Sequence, residues 1–403
     1  MRISTQTFYE QSRTGMGAQQ SSLLRVQQQL SAGTKILAPS DDPLGATRAL
    51  AVSQSISLTA QYSASRSHAV QTLSLEENAL QSVTTVLQNV KSLVIQAGNG
   101  TMNDADRASI ATSLQSNLDQ LQGLANTDDG NGQHLFAGFR SGSAPFVRQA
   151  NGSIQYTGDQ GQRQVQVDAF RQMAGTDDGR SVFQSVQAGA GYVASAASAN
   201  TGSGVFSATS AVDPTDVNYG KDFVISFPTV GTYQVDTLPV SGVSLVAAGS
   251  FMPGNAIKFG GLQISISGTP AVDDKVNVAT AKNAGSDVFA AIDDVIKALR
   301  TPVDGPKNQA LVLNALSTAN RKITNAHENV LTVRSSVGSR LQELDALAVS
   351  ADNRTLFDKS QLSELQDLDY SSAIAEFYQR QTALKASQQT FVKIQQTALF
   401  NYL

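Results

Sequence analysis

A chain of 403 residues is long enough for roughly two to four domains with real cores, and its formal net charge of −4 removes the electrostatic case for a nucleic-acid partner. It holds no cysteine, which excludes disulfides and thiolate metal sites, and no run has the length of a membrane span or the apolar core of a cleavable signal peptide. Charged residues make up only 15% of the chain, against about 25% in ordinary soluble proteins, and a surface so poor in charge suits side-by-side packing.

The first helix is expected from Met1 to Ser40, with Tyr9, Met16, Leu23, Leu30 and Leu37 seven apart and Ser31-Ala32-Gly33-Thr34 as a breaker near its end. Ser40-Asp41-Asp42-Pro43 is a restart signal, in which Asp42 suits the N-cap and Pro43 the first helical position. Proline is then absent until Pro145, so a second helix can run from Leu44 to about Ala97, or about 80 Å. Leu73, Leu80, Leu87 and Val94 form one line on it, and Val83, Val90 and Ala97 lie three residues after its later members. Gly98-Asn99-Gly100 stops this helix. Asn103 or Asp104 caps a third, which faces Ile110, Leu114, Leu118, Leu121 and Ala125 and closes a helical hairpin.

Between His134 and roughly Asn283 glycine and proline become frequent and the apolar period shortens to two. Ile154-Gln155-Tyr156 and Gln164-Val165-Gln166-Val167 flank Thr157-Gly158-Asp159-Gln160-Gly161, a hairpin signature. Further strands are expected at 223–227, 233–235, 256–259, 263–266 and 275–278, with a small-residue connector from Gly189 to Gly204 dividing the region in two.

Helix returns from Ser286 to Leu299 and, after Pro302 and Pro306, from Asn308 to Val349. Leu316, Ile323, Val330, Val337 and Leu344 are seven apart there, with Ala319, Ala326, Val333 and Leu347 three residues on, a complement for the Leu73–Val94 line. A last helix, from Tyr370 to Leu403, carries Phe377, Leu384, Phe391 and Ala398 and ends in Phe400, Tyr402 and Leu403. So thin a stripe buries too little surface to order a helix alone. Its partner is either the matching Tyr9–Leu37 stripe or a neighbouring subunit. The nested pattern predicts an α+β fold: long N- and C-terminal helices paired as a coiled coil or helical bundle, with a β-rich central insert. Residues 1–43 with 365–403 would form a terminal coiled-coil assembly domain, 44–133 with 286–364 a helical bundle, and 134–285 an outer insert in two parts, 134–185 and 204–285. The assembly interface would be Tyr9, Met16, Leu23, Leu30, Leu37, Phe377, Leu384, Phe391, Ala398 and Leu403.

Catalytic and metal signals are weak. His327-Glu328 lacks the second histidine that a zincin helix needs, since position 331 is Leu, and His68 and His134 lie in unrelated segments. Asp128-Asp129-Gly130-Asn131-Gly132 and Asp177-Asp178-Gly179 lack EF-hand spacing and read as Asx turns. Asp41-Asp42, Asp273-Asp274 and Asp293-Asp294 read as caps or flanks of helices and turns. Phosphate-binding, GxSxG and dinucleotide fingerprints are missing, so neither an enzymatic activity, a cofactor nor a small-molecule substrate is expected.

Leu30-Ser31-Ala32-Gly33-Thr34-Lys35-Ile36 followed by Pro39-Ser40-Asp41-Asp42-Pro43 resembles the N-terminal segment shared by bacterial flagellins and flagellin-like junction proteins. Met1-Arg2-Ile3-Ser4-Thr5-Gln6 and Ala398-Leu399-Phe400-Asn401-Tyr402-Leu403 look like the ends of the hook–filament junction members of that superfamily. Leu135-Phe136-Ala137-Gly138 and Tyr156-Thr157-Gly158-Asp159 extend the match into the insert. The resemblance implies a structural protein of the bacterial flagellum. It would be exported through the flagellar type III channel without a cleaved signal, would bind a cytoplasmic export chaperone beforehand, and would act outside the cell. Its expected partners are flagellin, the first hook-associated protein and copies of itself in a ring. A flagellin-type filament subunit, or an adhesin-like module on helical stalks, remains the alternative.

Overall fold

The computed structural model describes residues 5–100, 102–239 and 244–400. The architecture is α+β, with long helices at both ends of the chain and a β-rich region between them. In chain order the helices are α1 (Thr5–Ala32), α2 (Pro43–Ala97), α3 (Asp104–Ala125), α4 (Gly179–Phe183), α5 (Val288–Arg300), α6 (Pro306–Gln366) and α7 (Tyr370–Phe400).

The chain forms two compact units, one of residues up to Ala64 with those from Ala346 onward, the other of Ser65–Asp345. The division falls inside α2 and α6, not near residues 43 and 365. Large apolar side chains are buried along α2 from Leu73 to Val94 and along α6 from Leu316 to Leu344, whereas toward the first unit Leu44, Leu50, Leu58 and Val349 are exposed and the buried positions include Ala49, Thr59 and Asp358.

Helix ends follow local chemistry. α1 stops at Ala32, short of Ser40, because Gly33 takes a left-handed φ of +72° and its N–H closes on Gln29 O at 2.8 Å. Asp42 Oδ1 accepts from Gly45 N at 2.9 Å and Pro43 opens α2. Asp41 instead receives Leu37 N and Ala38 N and pairs with Arg25 at 3.1 Å. Asn103 and Asp106 form a reciprocal capping box on α3. Asp293 lies within α5 and pairs with Lys297 one turn on, so this acidic pair neither caps nor flanks the helix.

The first part of the insert holds two small ribbons. β1 (Phe146–Arg148) pairs with β2 (Ile154–Tyr156), and β3 (Gln164–Asp168) with β4 (Arg171–Ala174), all antiparallel. The expected hairpin between 154–156 and 164–167 does not form. The intervening loop is tied to other chain segments: Thr157 N donates to Pro145 O at 2.7 Å, Asp159 N to Ala137 O, and the Asp159 carboxylate receives Phe139 N and Gly161 N. Gly138, at φ +68°, lets the chain pass against Asp159 where a Cβ would collide. Phe136, Phe146, Phe183 and Phe289 pack with ring centroids 4.9–5.7 Å apart, joining this part to α4 and α5.

The second part contains β5 (Val193–Ala196), β6 (Val205–Phe206), β7 (Ser210–Ala211), β8 (Asp222–Ser226), β9 (Thr232–Leu238), β10 (Val246–Ser250), β11 (Ala256–Phe259), β12 (Leu262–Ser267) and β13 (Lys275–Ala279). One sheet runs β10-β9-β8-β13-β5, and a second runs β11-β12-β6 with β7 also on β12. Their inner faces share a core of Phe206, Phe223, Ile225, Phe259, Ile264, Ile266 and Val278. Residues 189–204 are therefore not merely a connector: Val193–Ala196 completes the five-stranded sheet, pairing Ala194 with Val278 and Ala196 with Val276.

A polar stripe on α6 grips this insert. Asn314 Nδ2 donates to Gly204 O at 2.8 Å while its Oδ1 receives Phe206 N, Thr318 donates to Ala194 O at 2.8 Å, and Arg321 and Asn325 reach Tyr192 O and Gly191 O. Asn329 donates to Ser181 O and Val182 O at 2.8 and 2.9 Å, Arg340 to Ala174 O, and Glu343 holds Arg171 through two bonds. From Asn314 to Asn329 these positions recur at spacings of three and four, and Arg340 and Glu343 take up the same face three turns on.

Candidate assembly surface

The terminal helices α1 and α7 pair antiparallel. At one end Lys35 N donates to Gln366 O at 2.9 Å and Leu368 N to Gly33 O at 3.1 Å, and near the other Tyr9 meets Phe391 edge-on at 5.6 Å. The stripe residues Tyr9, Met16, Leu23, Leu30, Phe377, Leu384 and Phe391 are half-buried, none fully enclosed; Leu37, also half-buried, lies beyond the end of α1 in the loop before α2 and does not continue the helical line expected for it. Ala398 lies in α7, but its side chain, like Leu403, is outside the described residues.

The positions three residues after the stripe explain the incomplete closure. On α1 they are Ser12, Gln19 and Val26 and on α7 Arg380 and Ser387, of which only Val26 is buried; Ala373, one turn before Phe377, is buried too. Arg380 turns to Glu376 at 2.6 Å, and Gln19 Oε1 is enclosed without a donor. An apolar line interrupted by polar groups leaves one side of each stripe open to solvent.

Further apolar side chains escaped the heptad reading. Leu24 is 52% exposed, Tyr378 61%, and Leu356 and Phe357 67% each; Ile374 and Val392 are also exposed. A signal was available: Leu23-Leu24 and Phe377-Tyr378 are adjacent large residues, which on a helix point about 100° apart and so cannot both face one partner. Within the same compact unit, Ser55 Oγ donates to Asp358 Oδ2 at 2.9 Å, tying α2 to α6.

In the other unit Leu73, Leu80, Leu87, Val94, Leu316, Ile323, Val330, Val337 and Leu344 are all buried, and Arg334 of α6 pairs with Glu77 of α2 at 2.5 Å. Beside them lies a group that periodicity does not reveal. Glu76 is fully buried, its Oε1 receives Asp177 N at 3.2 Å, and its Oε2 has no partner. Burial, then the nearby Asp177 charge, push its pKa well above the usual carboxyl range, against the pull of Arg340. Arg340 is bonded to Asp177.

The histidines do not assemble a metal site. His68 and His134 line one cavity of about 50 Å³ with Asp129 and Arg163, contrary to their separation in sequence, because the loop after α3 returns to α2. His134 Nδ1 is engaged by Asn126 O at 2.7 Å. His327 Nε2 is enclosed without a partner, and burial, then Lys91, lower its pKa. Among the described residues no group of three His, Cys, Asp or Glu could hold a metal ion, and no helix is long and apolar enough to cross a membrane. The acidic loops are used locally: Asp128 and Asp129 make Asx turns with Gly130 N and Asn131 N, and Asp178 caps α4 through Ser181 N.

Comparison with known proteins places these features. Residues 3–141 match the bacterial flagellin N-terminal helical region. The chain is 32% identical to flagellar hook-associated protein 3 of Salmonella typhimurium, over 99% of both proteins. Among solved structures, FlgL of Xanthomonas campestris is 30% identical with a TM-score of 0.66, over 74% of this chain and 99% of that one. The flagellar hook-associated protein-3 of Legionella pneumophila is 25% identical with a TM-score of 0.70, over 78% and 98%.

Proposed function

Because this chain belongs to the flagellar hook-associated protein 3 family, we propose that it is a structural adaptor at the hook–filament junction, joining the hook-associated ring to the flagellin filament through helical packing of its termini. The observation that carries this reading is the α1–α7 pair, whose stripes stay half-buried against each other and which exposes Leu24, Ile374 and Tyr378. Apolar surface left open on a paired helix gains free energy only when another helix covers it, at about 25 cal/mol per Å² removed from water.

In this reading the stripe residues Tyr9 to Leu37 and Phe377 to Leu403 carry assembly, and Leu24, Tyr378, Leu356 and Phe357 join them. The assembly domain, expected at 1–43 with 365–403, is here the wider unit of residues up to Ala64 and from Ala346 onward, while the supporting bundle and the insert, 134–285, belong to Ser65–Asp345. The partners are flagellin, the first hook-associated protein and further copies of this chain in a ring, with an export chaperone before secretion to the cell exterior. The role is non-enzymatic. Deleting residues 370–403 tests it: the remainder should stay folded and soluble yet fail to hold a filament on hooks of a strain lacking the full chain. Filament growth supported by the truncated protein would sink the proposal.

A further inference from the structure

Three Asn-Gly pairs occur in the chain, at Asn99, Asn131 and Asn151. Asn-Gly is the dipeptide most open to loss of the asparagine amide, because glycine leaves its own nitrogen unshielded. The last two pairs are close structural matches. Asn131 and Asn151 are both exposed, and Gly132 and Gly152 have φ of +81° and +86° with open space on the side where a Cβ would stand. Their hydrogen bonding differs.

At Asn151 the attacking nitrogen is engaged and the side chain is pinned. Gly152 N donates to Gln149 O at 2.9 Å, while Asn151 Oδ1 accepts from Ser153 N at 3.0 Å and Ser153 Oγ at 2.7 Å. At Asn131 the loop is fastened on either side of the glycine but not at it. Asp129 Oδ1 receives Asn131 N at 2.9 Å and Gln133 N at 3.1 Å, and Asp129 N donates to Gln133 O at 2.9 Å. Gly132 N has no partner among the described residues. We infer that Asn131 is a site of spontaneous deamidation in the folded protein, whereas Asn151, with the same dipeptide, is latched against it.

In the reaction Gly132 N loses its proton to water or hydroxide and attacks Asn131 Cγ. The N–Cγ bond forms, the Cγ–Nδ2 bond breaks, and ammonia leaves with a proton from solvent. Water then opens the succinimide at either carbonyl, giving aspartate or isoaspartate, with nothing oxidised or reduced. The product adds a negative charge beside Asp128 and Asp129, in the loop that bridges to His134. Where isoaspartate forms, it also lengthens the backbone by one carbon.

The test is incubation of the full chain at mildly alkaline pH, followed by tryptic mapping with mass spectrometry. Cleavage at Arg107 and Arg140 isolates 108–140, and cleavage at Arg148 and Arg163 isolates 149–163. Opening the Asn151 latch breaks two or three hydrogen bonds, so conversion at Asn131 should be faster by roughly tenfold or more. Fragmentation should place the change at residue 131, and Asn131→Gln should abolish it. In strong urea the two sites should convert at similar rates. Comparable rates in the folded protein, an intact Asn131, or a preference for Asn131 that persists in urea would each overturn the inference.

Discussion

Removing the amide of Asn329 should detach α4 from α6. α4 is a five-residue helix, and the carbonyls of Ser181 and Val182 belong to its last turn, where intrahelical donors run out. Asn329, 6% exposed, supplies both through Nδ2. Asn329→Ala loses two hydrogen bonds of about 1 kcal/mol net each and leaves two buried acceptors, so the cost should be about 3 kcal/mol. For a unit of this size that lowers the midpoint of thermal unfolding by about 6–12 °C. Asn329→Asp keeps the shape but sets a carboxylate against two carbonyl oxygens, and should cost more at neutral pH. Burial and those oxygens raise the introduced acid's folded-state pKa above its unfolded value, so the deficit should shrink as pH falls and grow as it rises. Calorimetry and denaturant titration at several pH values measure both. A change under about 0.5 kcal/mol for Asn329→Ala, the range of an ordinary surface substitution, would refute the reasoning.

Glu76→Gln should flatten the alkaline limb of the stability profile. Burial raises the folded-state pKa of Glu76, with Asp177 adding to the rise and Arg340 opposing it; Glu77 and Arg334 form a separate pair nearby. Its contribution is therefore full at low pH and lost as pH rises through the folded value. The variant should match the parent in acid and exceed it in base, and parallel denaturant midpoints across pH would contradict this. At the terminal pair, a double-mutant cycle of Tyr9→Ala and Phe391→Ala should give a coupling of about 1 kcal/mol. In the free protein, amide exchange should be fast in α1 and α7 and slow along Leu73–Val94, and strong protection of both ends would argue against assembly-dependent ordering.

Much of the helical part was legible because apolar residues at spacings of three and four demand a buried face whatever their partner. The Leu73 and Leu316 lines, the restart at Asp42-Pro43 and the cap at Asn103 needed no tertiary information. The insert was read less well. Turn residues at 157–161 signal that the chain bends, but not which segment accepts the freed N–H groups, and these go to Pro145 and Ala137 instead of closing a hairpin. Val193–Ala196 is too short and too small in side chain to declare itself a strand, and forms one because β13 and α6 satisfy its two sides. On the terminal helices the period located the stripe, yet it passed over Leu24 and Tyr378, since a heptad line records one direction around a helix. Glu76 was overlooked because a charged residue beside an apolar line reads as solvated until the loop carrying Asp177 is seen to cover it.

The grip of α6 on the insert has a consequence for how this chain can vary over evolutionary time. The atoms held by Asn314, Thr318, Arg321, Asn325, Asn329 and Arg340 are almost all main-chain carbonyls, which every amino acid carries. Mutation along Ala174, Ser181, Val182, Tyr192, Ala194 and Gly204 leaves those acceptors in place, and at Phe206, whose N–H is used, only proline removes the bond. At these carbonyls the helix reads the main chain and not the side chain; identity still matters at Arg171 and Asp177, which pair with Glu343 and Arg340, and at Gly191, where a Cβ would collide with Arg321. The insert's outward-facing residues are free to drift while its attachment persists.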